Sequence, residues 1–461
     1  MDADTLTAKS PALPAAVLYP ATALLTFILC VVLLRTKSSA ARFVIFACWF
    51  RYIFSAFHTV TFSASPIGIS WNALASILIC LLGLAVLKQR RLWSPFFLPI
   101  YGLMAIIIVS GAFNGEYPGL LNNVAKFGYL AVVCAGVAEA MEDLGGDRFL
   151  KALLWSFSPP LVFQFLSLAL DVPKASELDG SASFIGGYNH EAVFSIVIAT
   201  CFVVTALNAT LRRSIKGLLL AATLAGILLA NYRTTILAIA PLVFVQLTAG
   251  ISHLFKKGQR EGVFMFFLAF SVLAFGIVAW TAQDRFGDIG VVWEKGTNII
   301  QPPERFSPDE RRLLSARPYL WSQYIYGYKE GSEVQHWIGL GPDSWASKMP
   351  TYAHNTLVSY LYEYGILGVA AILLLWIAMF RAALKVRGSR RTKLLAAHAS
   401  FFLLNMATMP HWQIEGNILY GILCGYTLAL TRRRPAERTL MPQMQGTLAG
   451  QTRTGAAARS R

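Results

Sequence analysis

The chain has 461 residues, of which 56% are hydrophobic and only 14% are charged, a composition that excludes an ordinary soluble protein. Its formal net charge of +16 can indicate a nucleic-acid partner. The basic residues, however, cluster in alternate loops between apolar segments, as they do in the cytoplasmic loops of membrane proteins. Membrane topology therefore accounts for the charge, and no nucleic-acid partner is expected.

Apolar segments recur along most of the chain. A helix needs about 20 apolar residues to cross the hydrocarbon core of a bilayer. The candidates in chain order are 13–34, 43–61, 67–87, 94–112, 118–138, 149–171, 188–207, 215–231, 234–254, 262–281, 354–380, 394–410 and 417–431. The sequence therefore predicts an all-α, polytopic integral membrane protein with about 12–13 transmembrane helices.

Clusters of lysine and arginine predict which loops face the cytoplasm. They lie at 35–42, 88–91, 212–216, 256–260, 381–393 and 432–434. The acidic loop at 139–148 does not follow this pattern. With the basic loops inside, we expect the N-terminus outside, the C-terminus inside, and a long external segment at about 282–353.

The sequence predicts one membrane domain, 1–434, with a single large insertion at about 282–353 and a disordered, basic cytoplasmic tail at 435–461. Prolines and aromatic residues among the charges of the insertion suit short helices at the membrane surface, folded over a site. A simple amphipathic cap is the alternative. No internal repeat is visible, which argues against a transporter built from repeated halves.

The six cysteines all lie within apolar segments, and none lies in the long external segment. Their positions show neither a disulfide framework nor metal-ligand spacing. No metal ion and no cofactor is predicted.

A histidine stands where the long polar segment gives way to an apolar one. If a single helix ran from His354, then Gly365 and Gly368 would project onto the same face as the histidine. Glycines on a membrane helix allow a neighbouring helix to approach closely. The arrangement favours a reactive histidine held at the membrane rim, and the alternative is a packing face that ends in a histidine by chance.

Four basic residues depart from the topology pattern and are candidates for a site. Arg233 and Arg317 lie on the external side, and Arg51 and Lys126 lie within apolar spans. Charges at membrane depth usually face a cavity or a partner, and arginine suits phosphate oxygens. The alternatives are interfacial snorkelling for Arg233, a solvated charge for Arg317, and buried ion pairs for the other two.

Short motifs follow one another in order across the second half of the chain. They are Gly186-Gly187-Tyr188-Asn189, Tyr232-Arg233-Thr234, the Arg-x-x-x-Trp element Arg317–Trp321, the Gly-x-Gly stretch within 338–344, and His354-Asn355 with Gly365 and Gly368. The ordered set resembles the signature of the bacterial O-antigen ligase and O-antigen polymerase family. The resemblance is strongest over about residues 184–382.

The resemblance implies a metal-independent, inverting glycan transferase that acts at the periplasmic side of the bacterial inner membrane on undecaprenyl-diphosphate-linked sugars. By carry-over, Arg233 and Arg317 bind the donor diphosphate, and His354 positions or deprotonates the acceptor hydroxyl. Asn355 would orient His354 or, as the alternative, would serve as a helix-start cap. Asn189 or His190 would line the same cavity, or would serve as helix-start caps.

The sequence is compatible with three functions. A polymerase would use a second lipid-linked repeat unit as acceptor, whereas a ligase would use a lipid A core, and polymerisation is slightly favoured. A flippase for the same lipid-linked sugar is the alternative from another class. Expected partners are the undecaprenyl-diphosphate-linked donor, the glycan or lipid A core acceptor, membrane lipids and, by resemblance only, a chain-length regulator.

Overall fold

The computed structural model describes residues 12–66, 69–175, 182–252, 296–314 and 316–432, with a few isolated positions between 257 and 269. These residues are mostly helical, as predicted. The predicted tail at 435–461, and most of the span at 262–281 and of the insertion before residue 296, lie outside the described residues.

The helices of the N-terminal half follow one another with short connections. They are α1 (Ala15–Arg35), α2 (Ser39–Ala56), α3 (His58–Thr61), α4 (Trp71–Val86), α5 (Gln89–Leu92), α6 (Leu98–Asn114), α7 (Tyr117–Leu144), α8 (Gly146–Leu153) and α9 (Ser158–Ala169). Turns of 3-10 helix, Pro95–Phe97 and Leu154–Phe157, precede α6 and join α8 to α9. A small antiparallel ribbon of β1 (Lys174–Ala175) and β2 (Ala182–Ser183) follows.

The C-terminal half continues with long helices on either side of a segment of short ones. The helices are α10 (Glu191–Leu207), α11 (Arg213–Leu229), α12 (Arg233–Ala238), α13 (Ala240–Ser252), α14 (Arg317–Lys329), α15 (Glu333–Ile338), α16 (Thr356–Leu384), α17 (Ser389–Ala407) and α18 (Ile414–Arg432). Between 296 and 353, the described residues form only α14, α15 and turns of 3-10 helix.

Within the described residues, 5 helices are long and apolar enough to cross a membrane by length and composition. They are Ala15–Arg35, Pro95–Asn114, Tyr117–Leu144, Gly146–Ala169 and Thr356–Leu384. Shorter apolar helices, including α4 and α10, lie beside them. These helices are compatible with a membrane protein, whereas the count of about 12–13 spans stays a prediction.

Helices α7 and α18 form the centre of the bundle. Nearly every residue of α18 is buried, and a helix that is apolar all round belongs inside a larger assembly. Gly425 allows α18 to approach α7 closely, because a methyl group at this position would lie 2.4 Å from the carbonyl oxygen of Cys134 on α7.

The acidic segment 139–148, predicted as a loop, instead forms the end of α7 and the start of α8, and its carboxylates are paired with basic residues around it. Asp147 accepts a hydrogen bond from Arg390 at 2.7 Å, and Lys88 lies 3.4 Å from Glu139 and 3.6 Å from Asp143. The loops before α5, before α8 and before α17 therefore lie at one end of the bundle, hereafter the basic end. The acidic segment departs from the pattern of basic cytoplasmic loops because its carboxylates neutralise the neighbouring cations.

Helix α16 is broken at Gly365, where φ is 64°. The break leaves the carbonyl oxygens of Tyr362 and Glu363 without their partners in the next turn. The backbone N–H groups of Leu340 and Gly341 donate to these two oxygens at 2.9 and 3.0 Å. A loop from the segment before α16 is thus joined to the helix by main-chain hydrogen bonds.

The predicted common face of His354, Gly365 and Gly368 is wrong. Helix α16 begins at Thr356, His354 has a left-handed φ of 54°, and the break at Gly365 interrupts the projection. Gly365 faces the carbonyl of Trp337, and a methyl group at Gly368 would lie 2.2 Å from Cβ of Tyr364. Gly365 therefore permits a break in α16, and it allows the end of α15 and the loop that follows it to pack closely against the break.

The break predicts a strong dependence on Gly365. In Gly365→Ala, the left-handed backbone alone costs about 1–3 kcal/mol, and the new methyl group would lie 2.5 Å from the carbonyl oxygen of Trp337. We expect a clear loss in thermal unfolding temperature of the detergent-purified protein. Gly102→Ala on α6 is the matched control, because nothing lies within 4 Å of its Cβ position. Equal unfolding temperatures for the two variants would contradict the role of the break.

Candidate functional site

The segment that carries His354 is held by helix α14. Trp321 donates its indole N–H to the carbonyl of Ala353 at 2.9 Å, and the hydroxyl of Tyr324 donates to the carbonyl of Thr351 at 2.9 Å. Arg317 lies one turn before Trp321, and residues four apart share a helix face. The Arg-x-x-x-Trp spacing therefore places a guanidinium beside the histidine.

His354 is held in a form that can accept a proton. Burial lowers the pKa of its imidazole to about 4, and the positive charges of Arg317 and His190 add to this effect. Its Nδ1 atom is buried and has no hydrogen-bond partner among the described residues. The ring lies 4.0 Å from that of Tyr352, measured between centroids. At neutral pH the histidine is uncharged, as a general base must be.

Asn355 takes the helix-start cap that was its alternative interpretation, and its described side-chain hydrogen bonds do not reach His354. Its side-chain oxygen accepts hydrogen bonds from the backbone N–H groups of Leu357 and Val358, at 2.9 and 3.2 Å, and so caps α16. Its amide group donates to the carbonyl of Met406 at 3.0 Å. The residue fixes the start of the helix that follows the histidine, and acts on His354 only through the backbone.

A cavity of about 480 Å³ lies beside this segment. It is enclosed by the end of α2, the starts of α4, α10 and α18, and the first turns of α7. Its lining includes Arg51, Ser55, Asn72, Asn122, Lys126, Asn189, His190, Tyr352, Trp412 and Glu415. These helix ends lie opposite the basic end, so the cavity and His354 share the other end of the bundle.

Asn189, His190 and Lys126 all line this cavity, whereas the predicted cavity shared by His354 with Asn189 or His190 stays a prediction. His190 is also the N-cap of α10, because its Nδ1 accepts from the N–H of Ala192 at 3.0 Å. The two readings of this residue are therefore compatible. His354 does not line the cavity, but Tyr352 lies between the two, in contact with the imidazole on one side and lining the cavity on the other.

Arg51 forms the buried ion pair that was its alternative reading. Its Nε lies 2.8 Å from a carboxylate oxygen of Glu415, and the hydroxyl of Ser55 donates to the same oxygen at 2.6 Å. The amide oxygen of Asn72 accepts a further hydrogen bond from the guanidinium. Glu415 was missed in the sequence, although an acidic residue at the start of an apolar span is a signal of the same kind as Arg51.

Lys126 has a different environment from Arg51. It is only 6% exposed, and its ammonium group lies 5.4 Å from the ring centroid of Trp412. Within the described residues it has no carboxylate at ion-pair distance and donates no hydrogen bond. The buried ion pair that was the alternative interpretation of Lys126 is therefore not found among the described residues.

Arg233 lies apart from the cavity lining. It is the first residue of α12, and its side chain is exposed. Two residues on, the hydroxyl of Thr235 lies 2.8 Å from that of Ser195, which joins α12 to α10 beyond its cap, His190. The structure thus places Arg317 and His190 close to His354, and places Arg233 on a helix packed against α10.

No protein-family model matches the chain, and no curated protein matches it. The resemblance to the O-antigen ligase and polymerase family therefore rests on the motifs alone. Among the described residues, no group of three or more histidine, cysteine and acidic side chains is placed to hold a metal ion.

The ion pair at the cavity predicts a large effect of a neutral substitution. In Glu415→Gln, the guanidinium of Arg51 stays buried without its counter-charge, which costs about 3–5 kcal/mol. Asp147→Asn is the control at the basic end, where the pair with Arg390 is partly exposed and is worth about 0–1 kcal/mol. Thermal unfolding of the purified variants measures both, and a smaller loss for Glu415→Gln than for the control would contradict this account.

Proposed function

We propose that the protein is an inverting membrane glycan transferase of surface polysaccharide synthesis. It transfers an undecaprenyl-diphosphate-linked oligosaccharide or polysaccharide to a glycan acceptor, with polymerisation slightly favoured over ligation to a lipid A core. One observation carries the proposal: an uncharged, half-buried His354, whose Nδ1 has no hydrogen-bond partner among the described residues, lies beside Arg317 and next to a polar cavity.

The proposed topology follows from the distribution of charge. About 12–13 helices cross the bacterial inner membrane, the basic end faces the cytoplasm, and the end with His354 faces the periplasm. Pairing of the acidic segment 139–148 with Lys88 and Arg390 supports a single basic end. Membrane lipids surround the bundle, and a chain-length regulator is a further partner implied by the resemblance.

The proposed reaction is a single displacement. The acceptor hydroxyl attacks the anomeric carbon as its proton passes to His354, and the bond from that carbon to the diphosphate oxygen breaks. The electron pair leaves with the diphosphate, whose growing negative charge Arg317 stabilises, with Arg233 as the second cation that the resemblance implies. Attack from the side opposite the leaving group inverts the anomeric configuration.

Transport of the lipid-linked sugar is the alternative function. The cavity between α2, α7 and α18, with the buried pair of Arg51 and Glu415, supports it because transporters bind their substrates between helices. Transport gives no role to the proton-accepting nitrogen of His354.

Transfer by the purified protein is the direct test. In liposomes with a polyprenyl-diphosphate glycan donor and no added metal, we expect His354→Ala to slow transfer about 10²–10⁴-fold, the usual contribution of a general base. His336→Ala is the matched control, because this histidine lies in the same segment and its ring contacts Tyr328. We expect Arg317→Ala to be impaired and His336→Ala to keep wild-type rates.

The products decide between the alternatives. Longer lipid-linked glycans indicate a polymerase, and label that moves to a lipid A core indicates a ligase. If His354→Ala transfers as fast as wild type, or if the donor crosses the bilayer unchanged, the transferase proposal fails and transport takes its place.

The pH dependence of transfer gives a second prediction. The base form of His354 is present above its pKa of about 4, so the rate rises through that pH and shows no further rise near 6.5. In Arg317→Gln, loss of the neighbouring charge raises the pKa of His354. The acid limb in the pH profile of the residual activity therefore shifts to higher pH. A wild-type limb near 6.5, or an unmoved limb in the variant, contradicts this electrostatic arrangement.

A further inference from the structure

The cavity holds a buried cation with no anion to match it. Arg51 and Glu415 neutralise each other at 2.8 Å, whereas Lys126, 6% exposed, has no ion pair within the described residues. Asp343 and Glu363 are the carboxylates whose negative charge acts on Lys126. Neither lines the cavity.

Both of these carboxylates have other donors. Asp343 accepts hydrogen bonds from the amide of Asn122 at 3.1 Å and from the indole of Trp412 at 3.4 Å. Glu363 accepts from the backbone N–H of Asp343 at 2.8 Å and from the hydroxyl of Ser359. The ammonium group of Lys126 therefore faces the cavity without a carboxylate at ion-pair distance among the described residues. Burying a charge without a counter-charge is costly.

The rest of the lining suits a sugar. Tyr352 and Trp412 form an apolar wall, with stacked rings whose centroids lie 5.0 Å apart. Asn122 and Asn189 supply amide groups, which both donate to and accept from hydroxyls. The volume of about 480 Å³ is within the usual range of small-molecule sites, about 300–1,000 Å³.

We propose that this cavity is a subsite for an acidic sugar residue, a hexuronate, whose carboxylate binds Lys126. The proposal rests on the proposed function for its place in the reaction: the acidic residue belongs to the acceptor glycan, whose hydroxyl reaches His354 past Tyr352. A carboxylate carries the single negative charge that one free ammonium matches. A phosphomonoester carries about 1.5–2 negative charges at neutral pH and would leave charge uncompensated in a buried site.

Binding is measured directly, without the transfer reaction. The probes are methyl β-glucuronide, methyl β-glucoside and glucose 6-phosphate, each titrated into the detergent-purified full chain by calorimetry at pH 7. We expect the glucuronide to bind about 10- to 100-fold more tightly than the glucoside, as a hydrogen bond to a charged group permits. Equal binding of the two overturns the proposal, and so does tighter binding of glucose 6-phosphate.

Variants assign the preference to the lysine. In Lys126→Met the preference for glucuronide is lost, whereas Lys88→Met keeps it because Lys88 is exposed at the basic end. Lys126→Gln is the second variant, and thermal unfolding shows that each variant is folded. A preference that survives in both folded Lys126 variants overturns the proposal.

The test separates this inference from the proposed function. His354→Ala keeps the glucuronide preference, since His354 does not line the cavity. A wild-type preference without any glycan transfer supports the subsite and contradicts the transferase. Transfer that is equally fast to acceptors ending in glucuronate and in glucose, with no binding preference, supports the transferase and overturns the subsite.

Discussion

The break in α16 at Gly365 is the constraint on which the site depends. It leaves the carbonyl oxygens of Tyr362 and Glu363 without helical partners. These oxygens accept hydrogen bonds from the backbone N–H groups of Leu340 and Gly341. Gly339 fits only because it has no side chain, since a methyl group there would lie 2.2 Å from the main chain of Glu363. A polar segment is thereby anchored to a long apolar helix, and the residues between the two anchors, which include His354, are confined to the rim of the bundle.

Charged side chains are paired and buried differently at the two ends of the bundle. At the basic end, the exposed Lys88 pairs with the buried carboxylate of Glu139, and Arg390 pairs with Asp147 in a partly exposed position. At the other end the charges are buried: Arg51 is paired with Glu415, Lys126 is not paired within the described residues, and burial keeps His354 uncharged. Exposed pairs contribute little to stability, whereas buried charges are costly and so tend to be retained for a function.

Hydropathy predicted most of the helices, because a membrane span is a property of composition over about twenty residues. The Arg-x-x-x-Trp element was noted in the sequence only as a motif, and the structure shows that its tryptophan donates a hydrogen bond to the segment of His354. The break at Gly365 was not predicted, since a glycine in an apolar run fits a packing face as well as a kink. The pair of Arg51 and Glu415 joins residues 364 positions apart, and no local pattern reveals it.

The anomeric configuration of the newly formed linkage tests the central claim most directly. A defined donor with an α-linked diphosphate is supplied to the purified protein, and the product is examined by nuclear magnetic resonance. A single displacement assisted by His354 predicts a β-linkage in the product. Retention of the α-configuration, or the absence of any new linkage, would contradict the proposed chemistry of this site.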